Sequence, residues 1–121
     1  MATILIVEDT AANRVLATKI LRSAGHVVTT AETGADGVMM ARAHRPDVVL
    51  MDLGLPDMDG WQALKEIRNS AGDVARLRIV AFTAHAMVGD RERALKAGFD
   101  GYLSKPIDVA TFADDVAELV L

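Results

Sequence analysis

Five times along this chain a short apolar run is followed by a stretch with helical spacing, and that alternation limits the fold more than any other feature. The runs cover residues 4–7, 26–29, 48–51, 79–82 and 101–103. Those at 4–7, 48–51 and 79–82 are apolar without alternation, which is how strands covered on both faces of a parallel sheet read. Helical spacing predicts helices over 11–23, 35–43, 61–68, 90–97 and 109–119. In the first, Leu16, Ile20 and Leu21 share a face, and Gly25 suits its end. In the third, Leu64 and Ile67 point inward. Gly98 stops the fourth. In the fifth, Phe112, Val116, Leu119 and Val120 form one apolar stripe. Strand–helix alternation of this kind predicts an α/β fold: a five-stranded parallel sheet with helices on both faces.

The chain of 121 residues fits a single domain, taken as 1–121. Seventeen acidic against thirteen basic residues leave a net charge of -4. That balance argues against a nucleic-acid partner, which calls for a basic face. With no cysteine, disulfides, thiolate zinc sites and cysteine nucleophiles are excluded. No apolar run approaches the ~20 residues of a membrane span, and the start resembles no secretory signal. The expected location is cytoplasmic.

Ligands of open α/β sheets bind outside the carboxyl ends of the strands. There the sequence places Glu8 and Asp9 after the first run, Asp52 after the third, Thr83 after the fourth and Lys105 after the fifth. The second run ends at Ala31-Glu32, as befits an edge strand away from the site. Carboxylates gathered in one cleft repel. A hard divalent cation or the Lys105 ammonium relieves that repulsion, and few carboxylates with room for water suit Mg²⁺ better than Ca²⁺. Singly, each residue has an ordinary role: Asp9 or Thr10 as a helix cap, Thr83 as a strand-end hydroxyl, Lys105 as a surface lysine. It is their conjunction at one rim that points to a site. The loop Leu53-Gly54-Leu55-Pro56-Asp57-Met58-Asp59-Gly60 is a defined turn, and Gly54 leaves its carbonyl unobstructed.

Ile6-Val7-Glu8-Asp9, Met51-Asp52-Leu53-Gly54-Leu55-Pro56-Asp57-Met58-Asp59-Gly60, Ala81-Phe82-Thr83-Ala84 and Tyr102-Leu103-Ser104-Lys105-Pro106 together resemble the receiver domains of two-component response regulators, over essentially the whole chain. The likeness is nearest to single-domain receivers of the DivK type, and Glu8-Asp9-Thr10-Ala11-Ala12-Asn13-Arg14 also looks like receivers attached to hybrid histidine kinases. The resemblance implies a flavodoxin-like strand order 2-1-3-4-5 and a phosphorylation-activated switch. Asp52 would accept a phosphoryl group from a histidine kinase or histidine phosphotransfer protein. Asp9, Asp52 and the Gly54 carbonyl would ligate Mg²⁺, or Mn²⁺ in its place, and Glu8 would hold a metal-bound water. Lys105 and Thr83 would meet the phosphoryl oxygens, Tyr102 would change rotamer with Thr83, and the Lys105-Pro106 bond would be cis. Gly54 and His85 occupy positions that set how long the phosphoryl group survives. The donor would dock near Ala11, Ala12, Arg14, Val15 and Ile107, and a downstream protein would read Met87, Arg91, Lys96 and Tyr102. Such a domain assists its own phosphorylation without being a turnover enzyme.

Three rival readings remain. A haloacid-dehalogenase-type phosphatase shares the layout, but it wants an acid two places after its nucleophile, where this chain has Gly54. A flavodoxin-like cofactor binder would meet repulsion between its phosphate and Glu8 and Asp9. An unphosphorylated interaction module would not need the acid, hydroxyl and lysine set.

Overall fold

Strands form where the apolar runs lie. In the computed structural model, which describes residues 2–84 and 89–120, the strands are β1 (Thr3–Val7), β2 (Val27–Ala31), β3 (Val48–Asp52), β4 (Ile79–Thr83) and β5 (Gly101–Ser104). All pair in parallel, in the order β2-β1-β3-β4-β5. This is the expected α/β architecture and strand order. Every residue of β3 and β4 is buried, and so is all of β1 beyond Thr3, which accounts for runs without alternation.

The helices are α1 (Ala11–Ser23), α2 (Gly34–His44), α3 (Gly60–Arg68), α4 (Asp90–Ala97) and α5 (Phe112–Val120). Alternate strand residues feed two core layers. Ile4, Ile6, Leu50 and Phe82 pack with Ala17 and Leu21 of α1 and with Phe112 and Val116 of α5. Leu5, Val7, Met51 and Ala81 pack with Val38 and Ala41 of α2, Leu64 and Ile67 of α3, and Ala94 of α4. α1 and α4 both run out into glycines of positive φ, Gly25 at 94° and Gly98 at 118°, as left-handed helix ends favour.

Two expectations need correction. Leu16 does not face the core: it is 37% exposed, and α1 buries Ala17 and Leu21 instead. Small Ala17 lets the helix approach the sheet, and one residue along a helix turns a side chain by about 100°. α5 starts at Phe112 rather than 109, because Asp108 builds a turn first. Its carboxylate accepts from the Ala110 N–H (3.0 Å) and its carbonyl from Thr111 and Phe112 (3.1 and 2.9 Å), leaving Val109 exposed. A short 3₁₀ helix, Gly72–Arg76, fills the unassigned stretch before β4 and buries Val74. His85 and Met87 lie outside the described residues.

Two devices fix the loop that leaves β3. Gly60 opens α3 so close to the strand that a Cβ there would lie 2.4 Å from the Asp52 carbonyl oxygen and 2.8 Å from Leu53 Cα. Asp57 reaches across to α2, accepting from Gly34 N–H (2.8 Å) and Ala35 N–H (2.9 Å). The Ala35 and Gly34 amides hold its carboxyl below the usual value of 3.8.

Gly60→Ala therefore forces backbone apart, and overpacking of this kind costs about 1–3 kcal/mol; urea unfolding is expected to show that loss. Asp57→Asn is expected to lower the urea midpoint at neutral pH. A group whose folded pKa is depressed stabilises above its unfolded pKa and ceases to do so as pH falls through the folded value. The gap between variant and parent should thus close on acidification below the usual Asp range, and a gap independent of pH would refute the assignment.

Candidate functional site

The carboxyl ends of β1 and β3 are neighbours, and sequence order reverses between them: the connection from β1 leads to the edge strand β2, and that from β3 to β4. Such reversal points are where crevices open in sheets of this type. Glu8, Asp9 and Asp52 meet at that crevice, each offering a carboxylate oxygen, all within 4.8 Å of one another. Glu8 and Asp52 are buried and Asp9 is exposed. The capping role open to Asp9 and Thr10 is not taken up. Thr10 stands at the N-cap of α1 without a side-chain cap bond, and the Asp9 side chain has no hydrogen bond among the described residues.

Lys105 arrives from the end of β5. Its N–H donates to the Thr83 carbonyl (2.9 Å), and the Lys105–Pro106 peptide bond is cis. Its Nζ pairs with Glu8 Oε1, stands 3.4 Å from Asp52 Oδ2, and lies 4.9 Å from the centre of the Phe82 ring. Thr83 is fully buried at the end of β4, beside Ser104 of β5. The site thus gathers Glu8, Asp9, Asp52 and Lys105, with Thr83 one strand along from Asp52.

The two buried acids are driven apart in acidity. Burial raises Glu8, and the neighbouring Asp52 carboxyl adds to it, outweighing Lys105 and the Thr10 amide (3.2 Å); the result is about 7. Burial would raise Asp52 as well, but hydrogen bonds from Glu8 and the Gly54 N–H (3.0 Å), with the Lys105 charge, pull it below its usual value. These surroundings favour the protonated form of Glu8 relative to a free glutamate and the ionised form of Asp52. Glu8 Oε1, though paired with Lys105, is buried without an aligned hydrogen bond.

Gly54 is exposed, and a Cβ on it would stand 4.0 Å from Asp52 Oδ1, so no side chain covers the carboxylate there. Tyr102 is half-buried on β5 against the core layer of α2, α3 and α4. Burial and the charge of Asp90 raise its hydroxyl above 10. Among the expected docking residues, Ala11, Ala12 and Val15 are exposed on α1, Ile107 is half-buried, and Arg91 and Lys96 are exposed on α4. Arg14 differs. Its guanidinium folds back over the β1–α1 loop and donates to the carbonyls of Glu8 (3.1 Å) and Asp9 (3.4 Å). Sequence reasoning missed this, and also the Asp57 tie and the Phe82 ring beneath Lys105. One signal was available for Arg14: a cation near the start of a helix opposes the helix dipole.

The sequence matches the family model for the response regulator receiver domain over residues 4–117. The polar-differentiation response regulator DivK of Brucella anthropi is 34% identical over 113 residues, covering 93% of this chain and 91% of the relative. Among solved structures, the receiver domain of sensor histidine kinase PA1611 from Pseudomonas aeruginosa PAO1, with a magnesium ion coordinated in its active site cleft, is 39% identical. Its TM-score is 0.87, and the match covers 98% of this chain and 97% of that one. The chemotaxis response regulator CheY4 of Vibrio cholerae superposes with a TM-score of 0.89 at 26% identity, over 98% of both chains. An acid cluster at the reversal point of a 2-1-3-4-5 sheet, in a chain matched almost from end to end, leads to one conclusion: this protein belongs to the family of response regulator receiver domains.

Proposed function

We propose that this chain is a phosphorylation-driven signalling switch that accepts a phosphoryl group onto Asp52 from a phosphohistidine of a partner protein. The observation that carries the reading is Asp52 itself: a buried carboxylate kept ionised, between two further acids and an ammonium. A desolvated carboxylate that is still charged is a ready nucleophile.

The donor set fits a hard cation. Three clustered carboxylates offer oxygen ligands and no soft ones. Asp9, Asp52 and the Gly54 carbonyl would hold Mg²⁺, or Mn²⁺ in its place, with Glu8 steadying a bound water. When bound, the ion supplies positive charge against the oxygens of the group in transfer.

The chain's own residues do the rest. An Asp52 oxygen donates its electron pair to phosphorus, the new O–P bond forms as the P–N bond breaks, and the imidazole leaves with the bonding pair. The Gly54 N–H holds Asp52 Oδ1 in place. Lys105 and Thr83 meet the charge that gathers on the equatorial oxygens. Each molecule modifies itself once, so the event is stoichiometric, and hydrolysis of the acyl phosphate resets it. The added charge of about −1.5 to −2 draws Thr83 and Lys105 inward, and Tyr102 follows into the space released, altering the face of Arg91, Lys96 and Tyr102 that a downstream protein reads. Ala11, Ala12, Val15 and Ile107 provide a small apolar surface for the histidine donor. The described residues include no helix long and apolar enough to cross a membrane.

Incubation with acetyl phosphate and Mg²⁺ is expected to add one phosphoryl unit by intact mass, and Asp52→Asn to abolish the gain; no gain in the parent protein refutes the reading. In calorimetry, Mg²⁺ affinity should rise as pH passes upward through about 7, because the cation displaces the proton kept on Glu8. Glu8→Gln should flatten that rise. A profile that is flat in the parent protein would show that the proton and the cation do not compete.

A further inference from the structure

Arg14 is badly placed for a surface contact and well placed for another task. It lies near the start of α1, where the helix dipole disfavours a cation and no acidic side chain in the first turn compensates. Its side chain is only 17% exposed. Nη1 donates to two successive carbonyls, those of Glu8 and Asp9. Nη2 pairs with Glu32 Oε1 at 3.0 Å. Glu32 follows directly on the edge strand β2, and two residues later Gly34 donates to Asp57. Asp57 sits on the loop that carries Asp52 and Gly54 out of β3. A chain of contacts therefore runs from the Glu8–Asp9 loop through Arg14 and Glu32 to the start of α2, and through Asp57 to the Asp52–Gly54 loop. The β2–α2 turn, which supplies no acid to the cluster, splints the two loops that do.

We propose that Arg14, anchored by Glu32, is a positioning residue for the cation site. Its planar fork fixes the Glu8 and Asp9 peptide groups, and so holds three mutually repelling carboxylates at the separation a cation needs. This rests on the reading that the acid cluster takes Mg²⁺. The expectation has a sign that charge alone does not share. Removing a cation from the neighbourhood of a cation site tightens that site by simple electrostatics, whereas losing the splint loosens it.

The test is Mg²⁺ affinity by isothermal titration calorimetry, without phosphodonor or partner. Arg14→Met is expected to weaken binding about tenfold, at the lower edge of what outer-shell partners of metal ligands contribute. Glu32→Gln, which leaves the carbonyl contacts in place, is expected to weaken it about twofold, and adding it to Arg14→Met should change nothing more, as residues acting through one contact are non-additive. Arg68→Met is the control. Arg68 also donates to main-chain carbonyls, those of Ala75, Leu77 and Gly98, and pairs with Asp100 rather than with the Glu8–Asp9–Asp52 cluster, so its loss should lower stability and leave Mg²⁺ affinity unchanged. Affinity in Arg14→Met equal to or tighter than the parent overturns the proposal. If that variant does not fold, Arg14→Lys, which keeps the charge and loses the fork, and Glu32→Gln carry the test, and unchanged affinity in both overturns it. A parent protein that binds no Mg²⁺ overturns both this inference and the reading beneath it, whereas binding that Asp52→Asn abolishes and Arg14→Met spares overturns this inference alone.

Discussion

Three carboxylates converge within 4.8 Å and face one ammonium, and most of what is unusual in this molecule follows from holding them there. Two unit charges 4 Å apart interact with about 4 kcal/mol at the effective dielectric of a protein surface. Left to itself such a cluster would splay. The fold prevents this by seating two of the acids on or beside strands that cannot move. β1 and β3 are paired over four registers and buried on both faces, so Glu8 and Asp52 inherit the rigidity of the sheet's centre. α3 then closes on the exit of β3 so tightly that only glycine fits at position 60.

Confinement also divides the labour between the two buried acids. The same burial that drives Glu8 up to about 7 acts on Asp52, yet Asp52 ends below its ordinary value. The difference lies in donors. Asp52 receives the Gly54 amide, a hydrogen bond from Glu8 and the field of Lys105, whereas Glu8 has the Thr10 amide and the ammonium against the full cost of desolvation. Such a pair lowers the site's net charge when Glu8 takes up a proton and leaves Asp52 the more acidic member. On the proposed function, the resting site is thus already polarised toward Asp52.

Much of this was legible in the sequence because a parallel sheet delivers every strand's carboxyl end to the same edge. Once residues 4–7, 48–51 and 79–82 read as buried strands, the position of Glu8, Asp9, Asp52 and Thr83 at one rim followed from connectivity alone. What stayed hidden acts through main chain or across long separations. Arg14 works on carbonyls, which leave no trace in residue identity, and its partner Glu32 lies eighteen positions away. Asp57 looked like one more turn-forming acid and is instead a cap for a helix that begins twenty-three residues earlier. Leu16 was misassigned because an apolar stripe on a short helix fixes its direction only to within one residue, and Ala17, the smaller side chain, took the buried place. The start of α5 depended on an Asp108 turn that apolar spacing does not register.

The rim is stiff beneath and open above. Arg14, Asp57 and Gly60 tie down the loops that carry the acids, but Asp9 is exposed and Gly54 places nothing over Asp52 Oδ1. On the proposed function, an incoming histidine donor would bring its phosphorus to a carboxylate oxygen along a nearly straight line with its leaving nitrogen, so an uncovered approach would help a bulky partner. Water needs the same line to attack the acyl phosphate. A side chain at position 54 would screen one approach and hinder the other alike. On that reading, glycine at position 54 would favour acceptance and loss alike, and the lifetime of the modified state would be left to groups other than the residue two places beyond Asp52.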